Sequence, residues 1–149
     1  PRFEELYKGL RGVCGEFHSI FFLCACLGFQ AGTKTPRGAR RSERFWSRTI
    51  TQDEWTVYYA MAVSEGGMDF SILEDDPSVI NIAESYADAG MRILVEDVLR
   101  PYLTRGEVLA LERRASAELP QELLKFVWDR GLSLIRDAGH NGPSVGGGD

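Results

Sequence analysis

The residue types able to do chemistry in this chain are few, and their spacing limits their use. Cys14 and His18 lie four apart, on one face of a helix, with Cys24 and Cys26 further on. A metal site is the first use to weigh. At 3.6 residues per turn, positions two apart point some 160° away from each other. Cys24 and Cys26 therefore cannot both ligate one tetrahedral ion without breaking the helix. No Cys-x-x-Cys or His-x-x-x-His pair occurs, so these residues read as core thiols beside a half-buried histidine, with no metal and no cofactor. Cys14 and His18 could also be a nucleophile and its base, but the sequence shows neither an orienting acid nor an oxyanion loop. The other histidine, His140, falls in a polar tail.

The carboxylates are plentiful. Glu65 pairs with Asp69, and Glu74, Asp75 and Asp76 are consecutive. Acids placed before a helix serve its N-terminal N–H groups and its dipole. A magnesium site would need a phosphate substrate to complete it. The glycine-containing "GLRGVCG" at 9–15 lacks the strand and the lysine of a phosphate-binding loop. The chain reads as non-enzymatic.

Charge carries more information. Lys34, Arg37, Arg40, Arg41, Arg44 and Arg48 surround a single acid, Glu43, with Phe45 and Trp46 among them, in a chain of net charge −5. Residues 51–100 hold eleven acids against Arg92 and Arg100. Such asymmetry concerns partners rather than fold. The candidate binding residues are Lys34, Arg37, Arg40, Arg41, Arg44, Trp46 and Arg48. Three uses are open to them: contact with nucleic-acid phosphates, neutralisation of the protein's own acidic half, and docking to an acidic surface of a partner protein. Trp46 could stack on a base or pair with an arginine.

The elements that must position these residues are helical throughout. Phe3, Leu6, Tyr7 and Leu10 give one amphipathic helix ending near Gly12. A second runs from about Cys14 to Gln30, apolar on every side in its second half, with Gly28 and Gly32 as its stop. Thr51 and Glu54 form a capping box for a third, whose inner stripe is Trp55, Tyr58, Tyr59 and Ala62 and which Gly66–Gly67 ends. In the loop that follows, Phe70, Ile72 and Leu73 are expected to pin the chain to the core. Asp76 is read as the N-cap, with Pro77 at the first turn, of a long central helix to Leu99. Thr104 and Glu107 predict a short helix toward Ser116, and Pro120 opens a last one carrying Leu123, Leu124, Val127, Trp128, Leu134 and Ile135. The fold class is all-α: a compact bundle of five to six helices with one basic irregular loop. Residues 1–138 are expected to form a single helical domain and 139–149, with almost no apolar content, a disordered tail.

At 149 residues the chain is long enough for a real core. No apolar run reaches the length of a membrane span. The block Ser19–Phe29 imitates the apolar part of a signal peptide, but Glu5 and Glu16 precede it and a basic segment follows. An odd count of three cysteines fits free thiols and a cytoplasmic location.

Two stretches carry a family resemblance: "FHSIFFLCACLGFQAGTKTP", and "ERFWSRTITQDEW" continuing to "GMRIL". With Leu27-Gly28-Phe29 closing an apolar helix, a basic turn, a helix ending at Glu65-Gly66, and Glu84–Gly90 in place of an "EYANGG"-like segment, residues 17–99 resemble the small accessory proteins of Dnd-type DNA phosphorothioation systems. "TPRGARRSER" is longer and more basic than that pattern, Asp88-Ala89 replaces Asn-Gly, and the last fifty residues have no counterpart in it. The resemblance implies an antiphage context and transfers no catalytic residue. The expected function is that of a non-enzymatic accessory or scaffold subunit. Its partners would be larger subunits such as an ATPase or nuclease, with no membrane. The alternative is an autonomous DNA-binding module using the basic loop 34–48.

Overall fold

The computed structural model describes residues 3–36 and 49–140, with the backbone alone for 132–140. Five α-helices make the fold: α1 (Glu4–Cys14), α2 (Phe17–Gln30), α3 (Gln52–Glu65), α4 (Asp76–Leu94) and α5 (Ala115–His140). A 3-10 turn, Phe70–Glu74, joins α3 to α4, and a π turn, Val95–Leu99, extends α4. Among the described residues there is no strand, only one antiparallel bridge between Leu103 and Leu111. The all-α bundle expected from periodicity is the fold. No single described helix is long and apolar enough to cross a membrane.

The centre of the bundle is the crossing of α2 and α4, the most extensive packing in the molecule. A Cβ built on Gly90 would sit 1.7 Å from the carbonyl oxygen of Cys24, and one on Gly28 would sit 2.0 Å from that of Tyr86. The two backbones thus touch, with room only for glycine Cα hydrogens against carbonyl oxygens. Around this contact Cys24, Ala25, Ala83, Ala87 and Met91 are sealed from solvent. Gly28 is accordingly not a helix stop. The stop is Gly32, at φ +64°, where Thr33 N–H donates to Gly28 C=O and Gly32 N–H to Phe29 C=O.

Local sequence signals hold at some helix ends and fail at others. The Thr51 hydroxyl accepts from Glu54 N–H at 3.3 Å, and the Glu54 carboxylate accepts from Thr51 N–H at 2.8 Å, completing the capping box. Buried Met61 joins Tyr58 and Ala62 on the inner face of α3, while Trp55 and Tyr59 stack on each other half-buried. The N-cap of α4 is Asp75 rather than Asp76. Asp75 takes both the N–H and the hydroxyl of Ser78, which frees Asp76 to accept from the Tyr59 hydroxyl at 2.8 Å. The Thr104 capping box does not form. Thr104 N–H and hydroxyl both donate to Ala110 C=O, and Glu112 N–H donates to Tyr102 C=O, so 103–111 is a bridged loop. The last helix begins at Ala115, five residues before Pro120, which lies inside it.

Two predicted core assignments are also corrected. In the 66–75 loop only Ile72 packs on the core, while Phe70 is 62% and Leu73 37% exposed. On α5, Ala115, Leu119 and Leu123 are buried, whereas Leu124, Val127 and Trp128 face away from the bundle.

Candidate partner-binding surface

Of the seven candidate binding residues, Lys34 is the one within the described structure. Arg37, Arg40, Arg41, Arg44, Trp46 and Arg48 lie outside it. Lys34 Nζ sits 2.5 Å from a carboxylate oxygen of Glu65, the last residue of α3. Thr35 N–H donates to Ser85 C=O on α4 at 3.0 Å. At the far side of the segment, Ile50 packs on the core and Thr51 caps the start of α3. The basic segment is thus anchored at the two ends of α3, about 20 Å apart at 1.5 Å per residue. Lys34 is thus the one candidate whose pairing is described, with Glu65.

Beside the Lys34–Glu65 pair lies an apolar surface. Two residues past the end of α3, Gly67 turns left-handed (φ +66°) and Met68 N–H closes the turn onto Val63 C=O. Met68 itself keeps a left-handed backbone, φ +69°, and is 64% exposed. A left-handed conformation at a residue with a side chain costs about 1–2 kcal/mol. Phe70 and Leu73 follow on the 3-10 turn, both open to solvent. Asp69, Glu74, Asp75 and Asp76 flank them in sequence, all exposed. Hydrogen bonds from Ser71 N–H to Asp69, and from the Ser78 hydroxyl and N–H to Asp75, hold these two carboxyls below the usual range. Asp69 and Asp75 therefore stay anionic across the neutral range.

The residues weighed for chemistry are placed apart. Cys24 is sealed in the core, and burial pushes its thiol up to about 12, with a Tyr7 hydrogen bond pulling the other way. Cys14 and Cys26 are half-buried free thiols, each raised by burial. His18 Nδ1 lies 2.9 and 3.1 Å from the two oxygens of Glu54, a pairing across 36 residues that sequence spacing does not reveal. An ionised carboxylate can only accept, so Nδ1 carries the hydrogen there. This acid faces a histidine, as an orienting acid would, but Glu54 is already committed to the α3 cap. Among the described residues no group of three or more His, Cys, Asp or Glu is placed to hold a metal ion.

Tyr58 fills the space between these groups, fully buried, edge-on to Phe21, Phe22 and Trp55. Burial, and then the Glu54 charge, push its hydroxyl far above the ordinary tyrosine value. That hydroxyl has no hydrogen-bond partner among the described residues. A buried unpaired polar group costs about 1–3 kcal/mol. Tyr58→Phe is therefore expected to raise the stability by about 1 kcal/mol in urea denaturation, and a loss of stability would show that the hydroxyl is in use.

One shallow cleft of about 260 Å³ opens between the π turn and α5, lined by Asp97, Tyr102, Glu122, Lys125 and Phe126 among others. Arg114 and Arg130 already lie over the rings of Tyr102 and Phe126, at 5.1 and 5.4 Å. Among the described residues, exposed apolar side chains such as Met68 and Phe70 stand out more than this cleft does. Compared with known proteins, the chain matches no family model, no curated protein and no solved structure.

Proposed function

We propose that the chain works by binding a larger protein, as a non-enzymatic accessory subunit, through the Met68–Phe70–Leu73 surface. The observation that carries this reading is the exposure of Met68 and Phe70, 64% and 62%, on a turn held in an unfavourable backbone conformation. Exposed apolar side chains ringed by charge are the usual composition of an interface centre and its rim. Left-handed backbone at a non-glycine residue persists where the surroundings and a use maintain it. The flanking acids select a partner with a basic surface and an apolar pocket for Phe70. The resemblance of residues 17–99 to phosphorothioation-associated proteins supports a bacterial DNA-modification or antiphage complex as the setting, with an ATPase or nuclease subunit as partner.

The test is co-expression of the full chain with the subunits encoded beside it. A stable complex should co-elute, and Met68→Asp with Phe70→Asp should release the chain without changing its far-ultraviolet circular dichroism. Elution of the chain alone overturns the reading. A second reading is kept by the arginine-rich segment: direct DNA binding through residues 34–48. It requires affinity that falls steeply with salt, by about 10³-fold or more between 50 and 200 mM for six phosphate contacts. It also requires that Arg40→Glu, Arg41→Glu and Arg44→Glu together abolish binding.

A further inference from the structure

A second surface, on the opposite side of α5 from the core, carries an inference independent of that reading. α5 presents two apolar seams. Ala115, Leu119, Leu123 and Phe126 form the inner one and pack on the bundle. The outer one holds Ala117, Pro120, Gln121, Leu124, Val127, Trp128 and Gly131, with no ionisable side chain in it. Leu124 is 70% and Trp128 67% exposed. The sequence continues the outer period with Leu134, Ile135 and Ala138. An uncharged stripe of about 21 Å, from 117 to 131 at 1.5 Å per residue, is not what a solvated helix face carries.

The stripe is complementary to itself. Trp128 is its largest projection, and Gly131, one turn on, is its gap: nothing lies within 4 Å of a Cβ built there. Glycine inside a helix costs about 1 kcal/mol relative to alanine, and no neighbour among the described residues explains it. We propose that α5 pairs with α5 of a second copy, antiparallel about a two-fold axis, with each Trp128 seated over Gly131 of the other chain. That register also sets Leu124 opposite position 135, an isoleucine, and Gln121 opposite position 138, an alanine. Each of these positions then meets an uncharged one. A parallel pair would instead set Trp128 against Trp128 and leave both gaps empty. An isologous contact of this kind closes on itself and stops at a dimer. A single helix pair buries less than the roughly 800 Å² per partner of a standard interface, so the dissociation constant should fall in the micromolar range.

Sedimentation velocity of the full chain, from about 1 to 300 µM, tests this directly. The wild type should pass from monomer to dimer across that range, with nothing larger. Trp128→Ala should remain monomeric throughout with unchanged circular dichroism. Gly131→Ala separates the proposal from a purely structural role. At about 1 µM, where the chain is monomeric, it should raise Tm, because open space and helix propensity favour the methyl. At high concentration it should weaken the dimer at least tenfold, because the methyl occupies the seat of Trp128. A wild type monomeric at every concentration, a Trp128→Ala dimer, or a Gly131→Ala dimer as tight as wild type would each overturn the proposal.

Discussion

Gly90→Ala should cost the fold about 4 kcal/mol or more of its stability. The added Cβ would stand 1.7 Å from Cys24 O, 2.6 Å from its carbonyl carbon and 3.0 Å from its Cα. All three are backbone atoms in the middle of α2, so no side chain can turn aside. α2 must move away from α4 by more than 1 Å at the crossing to restore ordinary contact. That displacement would open the seam along Cys24, Ala25, Ala83, Ala87 and Met91, all now sealed from solvent. Ordinary overpacking costs about 1–3 kcal/mol because neighbours adjust; here they cannot without separating the two main helices. The expected loss is about 4 kcal/mol or more, a large share of the 5–15 kcal/mol that holds a domain of this kind. Gly28→Ala should behave likewise, since Tyr86 O stands 2.0 Å from its Cβ position. Gly12→Ala is the control. It is helical with nothing within 4 Å, and should gain up to about 1 kcal/mol. Urea denaturation followed by circular dichroism separates the three, and a cooperative Gly90→Ala transition within 1 kcal/mol of wild type would refute this account of the crossing.

What the sequence made legible follows the range of each interaction. The Thr51–Glu54 capping box, the Gly66–Gly67 stop and the 3.6-residue period of α1 and α4 are satisfied within four residues, so their residue types speak directly. The same box pattern at Thr104 and Glu107 misleads, because Thr104 finds a better acceptor in Ala110 once the chain turns back at the bridge. Gly28 reads locally as a helix stop, and its real reason, the Tyr86 carbonyl on another helix, lies outside any local window. Leu123 and Leu124 illustrate the same limit on α5. Adjacent apolar residues lie 100° apart on the helix, and only the packed structure decides that Leu123 is inside and Leu124 outside. For the candidate site, the arginine-rich segment was conspicuous by composition. The Met68–Leu73 surface was not, because Phe70 and Leu73 have the composition of core residues.

His18 and Glu54 supply the second large effect, and it depends on pH. Glu54 accepts from Thr51 N–H and from the His18 ring, with its side chain 12% and that of His18 21% exposed. Burial works to raise its carboxyl, but the Thr51 N–H and then the His18 ring outweigh it and hold the group below its ordinary value. A carboxyl depressed in the folded state adds stability above its unfolded value, about 4.3, and loses it as pH falls through the folded value. Acid unfolding should therefore begin with the loosening of α3 from α2 below about pH 4.3, without any change near neutrality from this group. Removing it outright by Glu54→Ala breaks half the capping box and leaves the His18 N–H without its acceptor. Together these cost about 2–3 kcal/mol at pH 7. Glu54→Gln keeps an acceptor for Thr51 N–H, as glutamine does in the same box, but it removes the charge. It should cost about 1 kcal/mol and flatten the acid limb of the stability curve. A double-mutant cycle with His18→Ala isolates the pair: coupling near zero would assign the whole effect to the cap, whereas about 1 kcal/mol or more places it in the bond between α2 and α3.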